Sequence, residues 1–228
     1  MGRWCIRGAW PSILMSAGSV AFAPAVCSET GGARTWTFEE HSAGSSPTGF
    51  LFARTGAGRP GRWVIQAVGD APSGTHVLAQ VDADATDNRF PIAVASEPKL
   101  RDVRLSVKCK PVSGEVDQAC GLVFRFRDAR SYYLTRANAL EGNVRLYRVV
   151  HGTRRQFASW SGAVTTGAWH DLRVVAQGDH LQVSWDGQPA IDAHDQTFNE
   201  AGQIGVWTKA DSVTSFDDLR VEPLGGSP

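Results

Sequence analysis

The sequence predicts an all-β chain folded as a jelly-roll β-sandwich of two antiparallel sheets. Three observations lead there. Past the first thirty or so residues, no stretch of about 12 residues carries a helical apolar period. Short runs of Val, Ile, Leu, Phe, Trp and Tyr recur at intervals of about ten residues, parted by Gly, Pro, Asn and Asp. Fifteen such runs in one domain call for two packed sheets.

Taken in order, the runs are as follows. Strands are expected at 35–40 (TWTFEE) and 49–54 (GFLFAR), on either side of the polar loop 40–48. The Gly/Pro-rich segment 55–61 then leads into 62–68 (RWVIQAV), 76–81 (HVLAQV) and 89–95 (RFPIAVA). The segments 102–110 (DVRLSVKCK) and 120–127 (CGLVFRFR) flank Pro111, Ser113 and Gly114, which are turn residues. Four more follow at 131–138 (SYYLTRAN), 143–150 (NVRLYRVV), 154–160 (RRQFASW) and 169–177 (WHDLRVVAQ). Gly178-Asp179 and Asp186-Gly187 are two-residue hairpin turns, and they set 180–186 (HLQVSWD) and 188–195 (QPAIDAHD) as antiparallel partners. The last two are 202–209 (GQIGVWTK) and 214–223 (TSFDDLRVEP).

Alternation assigns faces. Leu122, Phe124 and Phe126 should share one face, with Val123, Arg125 and Arg127 on the other. Ile204 and Val206 should oppose Trp207 and Lys209, and Leu181, Val183 and Trp185 should form one apolar face.

The chain begins as an exported protein would. Arg3 and Arg7 precede an uncharged, small and apolar run to Cys27, and Ala23 and Ala25 frame a cleavage site. Pro11, Gly18 and Pro24 make this run a poor membrane span. The expectation is a signal peptide over 1–28, one domain over 29–224 and a disordered tail at 225–228. A secreted or periplasmic location follows. Val26 sits where a lipid-anchored chain carries a small residue before its cysteine, so an anchor is not the expected reading. Lys plus Arg and Asp plus Glu both number 23, and no basic tract appears, which argues against a nucleic-acid partner. A monomer is expected.

Beyond the leader only Cys109 and Cys120 remain. If 102–110 and 120–127 form a hairpin in which paired residues sum to 229, the two cysteines face each other and a disulfide can form.

Three longer stretches carry a family resemblance: 110–155 (KPVSGEVDQACGLVFRFRDARSYYLTRANALEGNVRLYRVVHGTRR), 169–187 (WHDLRVVAQGDHLQVSWDG) and 202–221 (GQIGVWTKADSVTSFDDLRV). In order and spacing they resemble the concanavalin A-like lectin/glucanase superfamily. Within it they are most similar to secreted bacterial 3-keto-disaccharide hydrolase or family 16 glycoside hydrolase-like domains. That fold hosts lectins, hydrolases, lyases and adhesion modules, so function must come from the site.

Four constellations are candidates. In GEVDQACG, Glu115 and Asp117 match the first two acids of the family 16 catalytic strand, but Cys120 stands where the last acid belongs. A retaining glycosidase needs two carboxylates about 5–5.5 Å apart, so the motif reads as a rim turn ahead of a degenerate catalytic strand. In YYLTRANALEGN, Tyr132, Arg136, Asn138 and Asn143 are candidate sugar contacts, and Glu141 is the candidate acid/base. Alternatively the asparagines hold turns and Glu141 pairs with an arginine. Trp207 and Lys209, beside Arg125, would extend a polar-aromatic groove. The resemblance further implies a structural calcium held by Asp217, with Glu39 or Glu40 alongside. The six histidines do not cluster in sequence and are expected at the surface. The expected partner is an oligo- or polysaccharide bound in a concave groove. The alternatives are a glycoside-active enzyme and a structural module of the cell envelope.

Overall fold

The computed structural model describes residues 32–225. The expected leader, with Cys5 and Cys27, and the last three residues lie outside them. Fifteen strands are present, as expected, and no helix occurs among the described residues. They are β1 (Arg34–Trp36), β2 (Phe50–Gly56), β3 (Trp63–Ala67), β4 (His76–Gln80), β5 (Arg89–Ala95), β6 (Val103–Ser113), β7 (Ala119–Asp128), β8 (Ser131–Asn138), β9 (Asn143–Val150), β10 (Thr153–Ser161), β11 (His170–Gln177), β12 (His180–Trp185), β13 (Gln188–His194), β14 (Gln203–Trp207) and β15 (Val213–Pro223). The first is shorter than the expected 35–40, because Phe38 takes a left-handed backbone (φ 63°) that ends the extended run.

Two antiparallel sheets stack. One runs β13-β12-β11-β6-β15-β4-β3, with β1 also paired to β15, and the other runs β10-β9-β8-β7-β14-β5-β2. Their facing sides bury Leu105, Val107, Leu122, Phe124, Val174, Leu181, Val183, Trp185, Ile204, Val206 and Phe216. The expected core faces of β12 and β14 are therefore the observed ones.

The expected 102–127 hairpin is not. Strand β6 lies in the eight-stranded sheet between β11 and β15, whereas β7 lies in the seven-stranded sheet between β8 and β14. The intervening loop crosses the rim from one layer to the other. Asp211 holds that crossing, its carboxylate accepting the backbone N–H groups of Glu115 (2.6 Å), Val116 (3.1 Å) and Asp117 (3.0 Å). Cys109 and Cys120 are disulfide-bonded as expected, with Cα atoms 6.2 Å apart. The bridge joins the two sheets through the core rather than two strands of one hairpin.

Replacing both cysteines by alanine should lower the unfolding free energy by about 2–4 kcal/mol. Peptide mapping of the unreduced protein should recover the Cys109–Cys120 cross-link. Alkylation of both thiols without prior reduction would contradict it.

Candidate functional site: the trough of the seven-stranded sheet

The outer face of the seven-stranded sheet is not flat. Arg154 on β10 and Phe90 on β5 are five strand spacings apart in sheet order, about 24 Å if the sheet were flat. Yet the Arg154 guanidinium lies 4.6 Å from the Phe90 ring centroid, 4.6 Å from that of Tyr147 and 5.7 Å from that of Trp207. Tyr132 on β8 likewise reaches across β7, β14 and β5 to hydrogen-bond Thr55 on β2 (2.8 Å). Only a sheet curled into a trough permits both contacts. Register shifts in β7, β10 and β14 supply the bends. Phe90, Ile92, Val123, Phe126, Tyr132, Leu134, Tyr147, Val149 and Trp207 line the trough as a second apolar cluster.

One row across the trough is chemically distinct. Arg145 on β9 pairs with Arg136 on β8, Arg136 with Gly121 on β7, and Gly121 with Trp207 on β14. Gly121 presents no side chain between Arg136 and Trp207. A Cβ there would stand 3.1 Å from Arg136 Cβ and 3.0 Å from Leu134 Cδ1. A glycine inside a central strand marks a place where something else approaches the backbone.

Around this row the polar groups form two linked sets. Arg136 donates to Asn143 Oδ1, to Glu141 Oε2 (2.9 Å) and to the Tyr147 hydroxyl (3.2 Å). Arg145 meets the same Glu141 oxygen at 3.0 Å, and Asn143 Nδ2 donates to it at 3.1 Å. In the second set, Asn138 Nδ2 donates to Asp117 Oδ1 (2.9 Å), while Lys209 Nζ stands 2.9 Å from Asp117 Oδ2 and 2.6 Å from Asp87. Asn138 Oδ1 also caps the next turn, accepting from the N–H of Leu140 and of Glu141.

The two carboxylates are driven in opposite directions. Burial pushes the Asp117 carboxyl up, against the opposing pull of Lys209 and then Arg136. Burial also works on Glu141, but Asn143 and the two arginines outweigh it and hold its carboxyl below the usual range. Lys209 is held above its usual range because Asp87 and Asp117 outweigh its desolvation.

The structure thus brings Tyr132, Arg136, Asn138, Glu141, Asn143, Trp207 and Lys209 to one trough. It does not bring Arg125. At that residue the backbone is left-handed (φ 48°) and the β7–β8 register shifts, so the alternation slips. Phe126 moves to the trough face beside Tyr132, while Arg125 turns inward beneath Tyr133. There its guanidinium donates to the carbonyls of Arg101 (2.8 Å), Phe198 (2.7 Å) and Gly178 (2.7 Å), a structural anchorage. Tyr132 is fully buried, so it serves as floor rather than as an open stacking platform; burial lifts its phenol to about 12. Glu141, ionised and shared by two arginines, is a poor proton donor.

Sequence reasoning missed Asp117 and Arg154 as trough residues. Asp117 was visible only as part of the apparent glycosidase motif, in which Glu115 turns out exposed and Asp117 buried. The signal for Arg154 was weak: an arginine opposite Val149, two positions from Tyr147.

Comparison of the fold with solved structures finds carbohydrate-binding module CBM66 from Bacillus subtilis, 22% identical, with a TM-score of 0.61 over 77% of this chain and 96% of that one. The Bacillus licheniformis β-glucanase is 11% identical, with a TM-score of 0.56 over 86% and 100% of the two chains. The VIP36 exoplasmic/lumenal domain, in a Ca2+/mannose-bound form, is 10% identical, with a TM-score of 0.55 over 79% and 85%. At these identities the likeness shows the fold, a jelly roll of the lectin and glucanase type. No family model matches the sequence, and no curated protein matches it.

The expected calcium site does not fit. Calcium takes six to eight oxygen ligands. Glu39 and Asp217 do meet at one loop, but their carboxylates face N–H groups: Thr75 (2.9 Å) and His76 (2.6 Å) donate to Glu39, and Ser73 (2.9 Å) and Asp218 (2.7 Å) to Asp217. Elsewhere, on the outer face of the eight-stranded sheet, His180, Asp192 and His194 present ligand atoms all within 4.8 Å of one another. Their donor types suit an imidazole-preferring divalent ion rather than calcium. This cluster comes from cross-strand pairing of β12 with β13, which spacing along the chain does not reveal. His170 is also not the surface residue expected, being buried against Trp185.

Burial, with Asp218 and Glu39 nearby, lifts the Asp217 carboxyl to about 6. Between the unfolded value near 4 and this folded value, the native state holds the extra proton, so stability falls as pH rises through that window. In denaturant titrations, stability should fall from pH 4 to pH 7 as Asp217 ionises in the folded state. Asp217→Asn should remove that component of the pH dependence. An unchanged profile would contradict the assignment.

Proposed function

We propose that the protein binds an oligo- or polysaccharide in the trough, as a secreted or periplasmic domain. The single observation that carries this reading is the row of donors Arg136, Asn143 and Arg145, held in place around Glu141 beside an aromatic surface. Sugars are recognised by such a combination of directional donors and an apolar surface. The row opens to solvent at its Arg145–Glu141 end, where the side chains are 32% and 35% exposed. Arg136 and Asn143, fixed by their bonds to Glu141, are oriented before any ligand arrives. The disulfide and the lectin-type fold support an oxidising, extracytoplasmic setting.

The opposed shifts of Asp117 and Glu141 favour a second reading, glycoside-active catalysis. A carboxyl pushed up beside one held down is the pairing that separates a donor from a stabiliser. In that case Asp117, not Glu141, is the proton donor.

A glycan array probed with the purified protein should return a defined set of ligands. Arg136→Ala should weaken binding of a hit at least tenfold, about 1.4 kcal/mol. Arg145→Ala, at the open end of the row, should weaken it as well while leaving the thermal unfolding transition cooperative. Absence of any hit would overturn the binding reading. Turnover of a hit that is lost in Asp117→Asn with binding retained would establish the catalytic one, and a bound glycan recovered intact after prolonged incubation would exclude it.

A further inference from the structure

The trough holds more positive charge than its carboxylates answer. Arg136 and Arg145 share Glu141, and Lys209 sits between Asp117 and Asp87. Arg154 has no carboxylate and accepts no compensation from a carbonyl: among the described residues its guanidinium makes no hydrogen bond and no ion pair, and its Nη1 is buried. It rests on three aromatic rings instead. Arg136 Nε and Arg145 Nε are also buried without an acceptor. Every buried guanidinium nitrogen that lacks an acceptor among the described residues therefore belongs to this trough. Stacking on aromatic rings offsets only part of the cost of desolvating a guanidinium, and an unmet buried donor remains costly.

Resting on the saccharide-binding reading, we propose that the trough selects sugars bearing an acidic group, a carboxylate or a sulfate, with Arg154 as the counter-ion. A guanidinium presents parallel N–H groups that match two oxygens of such an anion. Paired with the outward edge of the Arg154 guanidinium, that anion would leave its sugar ring along the row toward Arg145 and Glu141, where the trough opens to solvent. Asp117 and Glu141 are already engaged by cations, so they leave the anion's approach to Arg154 unopposed.

The test compares matched probes on the full protein: a galacturonate tetrasaccharide, its methyl ester, a sulfated tetrasaccharide, and an array of acidic and neutral glycans. At least one acidic probe should bind tenfold or more tightly than its neutral counterpart, and its affinity should fall as salt is raised. Which of the uronate and the sulfate binds identifies the acid. Arg154→Met, which keeps the stem over the aromatic floor, should erase the preference, and Arg154→Lys should keep part of it. Unfolding transitions of both variants check that the trough survives. Neutral and acidic glycans binding alike, or a preference untouched by Arg154→Met, would overturn this inference and leave saccharide binding standing. No glycan binding at all would remove both.

Discussion

The curl of the seven-stranded sheet is the constraint on which the rest depends. A flat sheet would leave Tyr132 and Thr55, or Arg154 and Phe90, several strands apart, and its outer face would be a solvated wall. Curled, the same strands bring side chains from β5, β8, β9, β10 and β14 to one place, with rings packed below and charged groups along one row. The register shifts in β7, β10 and β14 are the places where the ladder breaks and the sheet can bend. The other sheet supplies the rigid back. It packs its inner face against the seven-stranded sheet, and the Cys109–Cys120 bridge ties the layers directly behind Gly121.

The arginines provide an internal comparison. Arg89 and Arg125 are completely buried, and both are saturated. Arg89 donates to the carbonyls of Arg59, Pro60, Asp82 and Ala210 and pairs with Asp82, and Arg125 donates to three carbonyls at the opposite end of the sandwich. These two pin loops and have nothing left to offer a ligand. Arg136, Arg145 and Arg154 bury donors that nothing in the described chain accepts. The fold satisfies its arginines where they are structural and leaves them unmet in the trough. That contrast sets the trough arginines apart from the structural ones more sharply than burial does.

Much of the fold was legible in the sequence because period-two alternation and turn residues act locally. The β11–β12–β13 meander, with Gly178-Asp179 and Asp186-Gly187 at its turns, and the two faces of β14 could be read directly. What was not legible depends on which sheet a strand joins. The Cys109–Cys120 pairing survived while its hairpin did not, because the turn residues at 111–114 look the same whether the chain folds back or crosses to the other layer. The deciding group is Asp211, almost a hundred residues away. Arg125 was misplaced because one left-handed residue reverses an alternation that the sequence shows as unbroken. The Arg136–Glu141–Asn143 grouping was readable because those residues are neighbours in one hairpin. Arg154 and Asp117 join it only through curvature and a rim crossing, neither of which leaves a local signature.

The central claim is that the trough, centred on Gly121 and its flanking arginines, is where this protein meets its ligand. The most direct measurement follows the arginine Nε–H and tryptophan indole N–H resonances by NMR while a bound glycan is titrated in. The account predicts that the signals of Arg136, Arg145, Arg154 and Trp207 shift in a saturable way, while those of Arg89 and Arg125 stay in place. Saturable shifts confined to the outer face of the eight-stranded sheet, with the trough signals unmoved, would contradict it.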